Sequence, residues 1–434
     1  ALAAAAATAS APVAASATFG SDQDYANWLA LPVFPFNKRK TLRRRVNDDV
    51  WVFDQLIGIY YVHVPIRMTV VRSKALEGLV VYAPVAPTKE CLDLVRELVD
   101  KYGPVRTIVL PSVAVEHKVL AGPFAREFPD AAFYAVDQQY AFPVNLPDRT
   151  LGLPPWTRPL PRRSADAPDL WKGEFMHEVL TVKPGPGSYF QDVALLHKPS
   201  KTLMVCDAVL AVTDEPPAIL SEVPEHRKAL LFHAREDPFE VVADSAEARR
   251  KGWRRIVLLF NFFIPGATTA DVGLAPLKRL GRFPFGWCGW QPFTWRPADE
   301  RASFDRYSGG GKLTLLPIIQ IILNRGVADG SLKNWVDRVT KWNFDTVVPA
   351  HLDAPLRAGP ADFAKPFDFA KDGGNVARFC DEDVALLREA ERGPLSFSVA
   401  KTTTGPLTGD PTCGLGAGAP RVVSDELGLR WSPK

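Results

Sequence analysis

The chain has 434 residues, enough for one large domain or two ordinary ones. Hydrophobic residues make up 47% and charged residues 23%, a balance typical of a globular protein with a sizeable core. The formal net charge is only +3, so the overall charge gives no reason to expect a nucleic-acid partner. The five cysteines are widely spaced and lack a C-x-x-C pair, which excludes a zinc ribbon and argues against a disulfide framework.

The N-terminal region is unlike the rest. Residues 1–20 are almost all small or apolar and carry no charge, so we expect a disordered leader remnant over residues 1–24. Its composition favours import into an organelle, although a cleaved lumenal or secretory signal would have a similar texture. Residues 25–60 follow as a basic extension. Its segment 38–45 could dock a phosphate or an acidic partner, or could be a solvated surface.

Residues 61–210 alternate short apolar strands with helices, so they predict the first half of an α/β domain. In chain order, the predicted elements are a hairpin of Ile66–Val71 and Gly78–Ala83, a helix between Thr88 and Gly103, the strand Val105–Leu110, a helix near 118–128, the strand Ala132–Val136, and a hairpin of Asp192–His197 and Thr202–Asp207.

Residues 211–310 have the character of an insert. The apolar run Ile256–Ile264 follows a basic segment at residues 249–255, a pattern that suits either a membrane surface or a buried element with a solvated flank. The aromatic segment Phe283–Trp295 could cover the core or dock a protein partner or a membrane surface. Residues 311–385 then supply the second half of the domain. Residues 386–434 form a tail.

Metal-ligating residue types follow three predicted strands. Glu116 and His117 come after Val105–Leu110, Asp207 ends the strand at Thr202, and His351 follows Asp345–Ala350. Ligands gather beyond the carboxyl ends of strands in α/β sheets, and these side chains could together hold one divalent cation. The alternative is a hydrogen-bonded polar cluster without a metal ion.

Three stretches resemble a plant, algal and cyanobacterial family, domain of unknown function 4336, which is similar to the metallo-β-lactamase superfamily. They are Ile108–Lys118, Leu195–Asp207 and Val347–His351, within a likeness over roughly residues 60–365. The resemblance implies a four-layer αββα sandwich, here with an insert and terminal extensions. It also implies a chloroplast location.

The resemblance also implies a depleted metal motif. The superfamily pattern His-x-His-x-Asp-His falls on Ser112, Ala114, Glu116 and His117, so its first two histidines are missing. A third histidine expected in the turn at residues 184–188 is missing as well. The remaining ligand set is Glu116, His117, Asp207 and His351.

This ligand set leaves two functions open. The protein could be a non-hydrolytic auxiliary, assembly or structural factor at a thylakoid or other membrane complex. It could instead be a hydrolase or oxidoreductase with one divalent metal ion, Zn, Fe or Mn, acting on a small ester, thioester or phosphoester. Four coordinating side chains would close a zinc site, whereas a displaced Glu116 could act as a general base. Strand geometry predicts that His197 lies about 17 Å from Asp207 along the hairpin, so we expect it to bond the turn or a neighbouring loop instead of a shared metal ion.

Overall fold

The computed structural model of the chain describes residues 22–23, 25, 39–59, 61–139, 147–185, 188–236, 240–270, 293–370 and 379–387. Three predicted features lie mostly or wholly outside the described residues. They are the leader remnant at residues 1–24, the aromatic segment Phe283–Trp295 except for its last three residues, and the tail at residues 386–434.

Two β-sheets form the centre of the protein. In the seven-stranded sheet the strands follow chain order: β1 (Leu42–Arg45), β2 (Val50–Ile59), β3 (Val62–Ser73), β4 (Gly78–Tyr82), β5 (Val105–Leu110), β6 (Ala132–Ala135) and β7 (Arg158–Pro159). The five-stranded sheet has the order β14 (Leu356–Arg357), β13 (Thr346–Pro349), β10 (Thr202–Val205), β9 (Ser188–His197) and β8 (Phe175–Gly185). A separate small hairpin pairs β11 (Thr268–Ala270) with β12 (Phe293–Trp295).

Helices cover the outer faces of both sheets. Those in the described residues are α1 (Lys89–Tyr102), α2 (Val115–Arg126), α3 (Ala218–Ser221), α4 (Pro224–Ala234), α5 (Ala246–Phe262), α6 (Pro297–Ser308), α7 (Pro317–Asn324), α8 (Ser331–Val339) and α9 (Pro360–Ala364). Helices α1 and α2 bury their apolar faces against the seven-stranded sheet, and α7 and α8 do so against the five-stranded sheet. The predicted αββα order of layers is therefore confirmed.

The space between the two sheets is filled from both sides by apolar side chains. Val52, Val80 and Val109 of the first sheet meet Leu195 and Met204 of the second, and all five are buried. Strands that are covered on both faces need apolar residues in both orientations, which is why these segments read as continuous apolar runs. Because the two sheets pack face to face, the ends of their strands lie close together.

The structure adds detail to two of the regions that the sequence distinguishes. Strands β1 and β2 lie within residues 25–60, which were assigned to a basic extension. Asp54 and Gln55 interrupt the apolar pattern of β2, yet both are buried in the sheet. The region 211–310, assigned to an insert, packs α4 and α5 into a core cluster shared with β2 and β3.

Two further predictions concern the apolar run and the cysteines. Ile256–Phe262 forms the buried end of α5, and no helix in the described part of the chain is long and apolar enough to cross a membrane. Cys91 and Cys206 are free thiols, whereas Cys380 is disulfide-bonded. The sequence argued against a framework of several disulfides and did not predict the single bond at Cys380, because wide spacing in sequence does not exclude closeness in space.

Candidate metal centre

Three strand ends supply the candidate site. Strands β10 and β13 are parallel neighbours, with Val205 paired to Pro349, so the chain leaves both at the same edge. Asp207 and His351 follow there. Strand β5 of the other sheet ends nearby, and the first turn of α2 beyond it carries Glu116 and His117.

The structure brings the four predicted residues together. The Nε2 atoms of His117 and His351 lie 3.0 Å apart. Oδ1 of Asp207 lies 3.3 Å from Nε2 of His351 and 3.9 Å from Nε2 of His117. Glu116 offers a carboxylate oxygen within 4.8 Å of donor atoms of Asp207 and His351. Glu116 is half-buried, whereas the other three are buried.

A second layer of hydrogen bonds orients these side chains. The buried Asp192 carboxylate accepts backbone N–H groups from Cys206, Asp207 and Ala208, at 3.1, 2.6 and 2.6 Å. The Ser112 hydroxyl donates to Oδ2 of Asp207 at 2.7 Å. Asp207 is thus held through both its backbone and its side chain, which leaves Oδ1 directed at the two imidazoles.

The ring of His351 has a defined tautomer. Its Nδ1 lies 3.1 Å from the carbonyl oxygen of Pro65, which can only accept, so Nδ1 carries a hydrogen. In the neutral ring Nε2 then has a free electron pair. Metal-ligating histidines usually show this pattern, with the second nitrogen donating to a carbonyl or carboxylate.

Burial and the mutual proximity of the four groups shift their pKa values. Burial alone would lower the pKa of His351, but the Asp207 carboxylate raises it above the ordinary value. Burial would also raise the pKa of Asp207, yet the hydrogen bond to His351 and the nearby His117 hold it well below its usual range. Burial lowers the pKa of His117 to about 4. Burial and Asp207 raise the pKa of Glu116. A protonated His351 would therefore share its Nε2 hydrogen with a neutral His117 or with Asp207.

The donor set fits a divalent metal ion. Imidazole nitrogen and carboxylate oxygen suit zinc, iron and manganese. Bonds of about 2.0–2.2 Å place the ligands of a tetrahedral ion roughly 3.4 Å apart. The three distances among His117, Asp207 and His351 lie on either side of that value. Nδ1 of His117 has no hydrogen-bond partner among the described residues, so His117 is the less firmly oriented imidazole.

The sequence analysis missed one candidate donor, Cys206, but was right about His197. The buried Cys206 offers its sulfur within 4.8 Å of donor atoms of His117 and Asp207. Its place directly before Asp207 at the end of a strand was the available signal. His197 instead bonds Ser200 in the turn at 2.7 Å and Glu174 at 3.3 Å, so its predicted structural role is confirmed.

Both predicted basic segments form many ion pairs with acidic residues of the same chain. In segment 38–45, whose Lys38 lies outside the described residues, the pairs are Lys40–Glu90, Arg43–Glu97, Arg44–Asp54 and Arg45–Asp48. In segment 249–255 they are Arg249–Asp244, Arg250–Glu215, Lys251–Glu236, Arg254–Asp214 and Arg255–Glu300. The charge of each segment is thereby largely compensated, and Arg255 is fully buried.

The chain is similar to one described protein family and to several solved structures. A model of the family described as "Domain of unknown function (DUF4336)" matches residues 47–369. No curated protein matches the sequence. Similar solved structures include a metallo-β-lactamase from Erythrobacter litoralis with β-mercaptoethanol in its active site, at 8% identity and a TM-score of 0.36. The alignment covers 76% of this chain and 96% of that chain.

Two further structures show a likeness of the same order. The DIM-1 metallo-β-lactamase exposed to ceftazidime has 11% identity and a TM-score of 0.37, and 77% of this chain aligns with 98% of that chain. The Flv1 flavodiiron core from Synechocystis sp. PCC6803 has 10% identity and a TM-score of 0.36, and 76% of this chain aligns with 61% of that chain. The family match covers about three quarters of the sequence. The protein therefore belongs to the DUF4336 family of domains of unknown function.

Proposed function

We propose that this protein is a non-hydrolytic factor that holds one divalent metal ion through Glu116, His117, Asp207 and His351. The observation that carries the proposal is the convergence of two imidazole nitrogens and one carboxylate oxygen within 3.0–3.9 Å. A bound ion would replace the proton that His351 otherwise shares, and it would tie the ends of both sheets together. Its role is to stabilise the scaffold.

Two features argue against two-metal hydrolysis. In the superfamily motif Ser112 and Ala114 take the places of histidines, and the Ser112 hydroxyl occupies the Asp207 oxygen that could otherwise bridge to a second ion. The three donors His117, Asp207 and His351 are also nearly inaccessible to solvent. A closed four-ligand site offers no coordination position to a substrate or an attacking water.

The proposal is tested by titrating the full chain with Zn²⁺ alone in a calorimeter. Wild-type protein should bind one ion per chain, and Asp207→Ala and His351→Ala should each abolish that binding. His197→Gln, a change of a buried histidine at the other end of the hairpin, is the matched control and should bind normally. Equal binding by all four proteins would place the ion elsewhere, and no binding by the wild type would end the proposal.

The proposal includes a chloroplast location and docking at a thylakoid or other membrane complex. The leader composition and the aromatic segment Phe283–Trp295 support it, and both are sequence features. Trp295 is buried, and Arg255 lies 5.2 Å from its ring centre. Trp295 is therefore a packing residue and is left out of the docking variant. Trp287→Ala with Trp290→Ala should release the protein from membranes in chloroplast fractionation. Unchanged fractionation, or absence from purified chloroplasts, would contradict this part.

A second candidate function is that of a hydrolase or oxidoreductase with one metal ion. Glu116 favours it, because it is the half-buried member of the cluster and its raised pKa suits a group that accepts a proton. Activity is tested on chromogenic esters, thioesters and phosphodiesters. Turnover that is lost in Glu116→Gln while the metal content is kept would favour the enzyme. The non-hydrolytic proposal expects no turnover by the wild type.

A further inference from the structure

A buried ion pair contacts the loop that carries His351. Nε of Arg67 is 2.6 Å from Oδ1 of Asp54, and both side chains are 1% exposed. A buried guanidinium is costly unless it is paired and its remaining hydrogens find acceptors. Asp54 supplies the charge, and the loop supplies the acceptors.

Arg67 donates hydrogen bonds to the loop on both sides of His351. One terminal nitrogen donates to the carbonyl oxygen of Pro349 at 2.8 Å, and the other donates to that of Leu352 at 2.7 Å. The backbone N–H of Arg67 donates to Ala350 at 2.7 Å. Leu352 has a φ of +56°, a strained conformation for a branched residue that must be imposed by its surroundings.

The same stretch of β3 also touches His351 itself. Ile66 forms an isolated antiparallel bridge with His351, and Pro65 accepts the Nδ1 hydrogen of its ring. Three consecutive residues of the first sheet therefore set the backbone, the tautomer and the ring direction of a side chain that belongs to the second sheet. Of these contacts, only those of the Arg67 guanidinium depend on side-chain identity.

We propose that Arg67, neutralised by Asp54, is a positioning residue that fixes His351 for metal binding. This inference rests on the proposed function and adds the device that keeps Nε2 of His351 aimed at Asp207. The two terminal nitrogens of a guanidinium diverge in a rigid fork, which suits carbonyl oxygens on either side of a residue. A lysine has a single charged nitrogen and cannot span both acceptors in the same way.

The test compares variants that keep or remove this fork. Arg67→Lys retains the positive charge beside Asp54, and the double variant Asp54→Asn with Arg67→Met removes both charges so that neither is left unpaired. Arg44→Met is the matched control. Arg44 also pairs with Asp54, at 2.7 Å, but donates to Ala354 and not to the carbonyls beside His351. Each full-length variant is titrated with Zn²⁺, and its Co²⁺ absorption spectrum and thermal unfolding without metal are recorded.

Both Arg67 variants should unfold cooperatively yet bind Zn²⁺ about 10–100-fold more weakly, an effect of the size seen when a residue that orients a metal-binding side chain is lost. Their Co²⁺ spectra should change in shape, whereas Arg44→Met should keep the wild-type affinity and spectrum. Unchanged affinity and spectrum in Arg67→Lys would overturn the inference while leaving the proposed function standing. Failure of both Arg67 variants to fold would also overturn it, because the residue would then serve the fold alone. A wild type that binds no Zn²⁺ would overturn both.

Discussion

Replacing Asp192 by asparagine should destabilise the protein, because the fully buried Asp192 carboxylate accepts three backbone N–H groups. Oδ1 accepts from Cys206, and Oδ2 accepts from both Asp207 and Ala208. An asparagine keeps one accepting oxygen and presents an NH₂ group to the remaining donor. Whichever way the amide turns, at least one buried N–H loses its acceptor.

The expected cost follows from these bonds. A buried donor left unpaired costs about 1–3 kcal/mol. Burial and the neighbouring Asp207 raise the pKa of Asp192 to about 7, so the charge of its carboxylate adds little to the surviving bonds near neutral pH. Asp192→Asn should therefore lower the free energy of unfolding by about 1–3 kcal/mol. Because the same bonds hold the backbone of Asp207, the variant should also bind Zn²⁺ more weakly.

Equilibrium unfolding in guanidinium chloride measures this change. The control is Asp137→Asn, since Asp137 is a surface carboxylate that pairs with Arg162 and its change should cost less than about 1 kcal/mol. A loss below 1 kcal/mol in Asp192→Asn would refute the reasoning. It would mean that the strand end keeps its conformation without both carboxylate oxygens of Asp192.

Three other changes have definite expected outcomes. Burial lowers the pKa of His63 to about 3, so only the unfolded state takes up its proton between about pH 6.5 and 3, and stability falls as the pH falls through that window. His63→Leu should remove up to about 3 kcal/mol of the loss between pH 7 and pH 4 measured by urea unfolding, and an unchanged pH dependence would contradict this. Cys206→Ser should keep one metal ion per chain in elemental analysis, because four other donors suffice; loss of the ion would make the thiolate a ligand. Gly252→Ala should lower the thermal midpoint although alanine favours helices, since a Cβ on α5 would lie 1.8 Å from the carbonyl oxygen of Leu230, and a raised midpoint would oppose that packing.

Much of the scaffold was predictable from local pattern. The hairpin of β3 and β4, the helix capped by Thr88 and the hairpin of β9 and β10 were all expected, and all are present. Their signals are short-range: β-branched runs, an N-cap and a glycine at the helix end. Strand β2 escaped notice because Asp54 reads as a surface residue in sequence. The Asp54 carboxylate can be buried because Arg67 and Arg44 pair with it in the folded chain.

The residues of the candidate site were predictable, but the residues that support them were not. Glu116, His117, Asp207 and His351 each follow a recognisable strand, and the fold places strand ends together. Arg67 and Asp192 gave no such signal. Arg67 acts on a loop more than 280 positions away in sequence, and Asp192 lies within an apolar strand. Contacts of that kind follow from how the two sheets meet, which no local pattern encodes.

The central claim is that one divalent metal ion is held where the two sheets meet. Its most direct test is elemental analysis of the full-length protein purified without chelator, with the Asp207→Ala, His351→Ala double variant prepared in parallel. We expect about one zinc, iron or manganese ion per wild-type chain and none in the variant. A metal-free wild type, or a variant that retains its ion, would contradict the account.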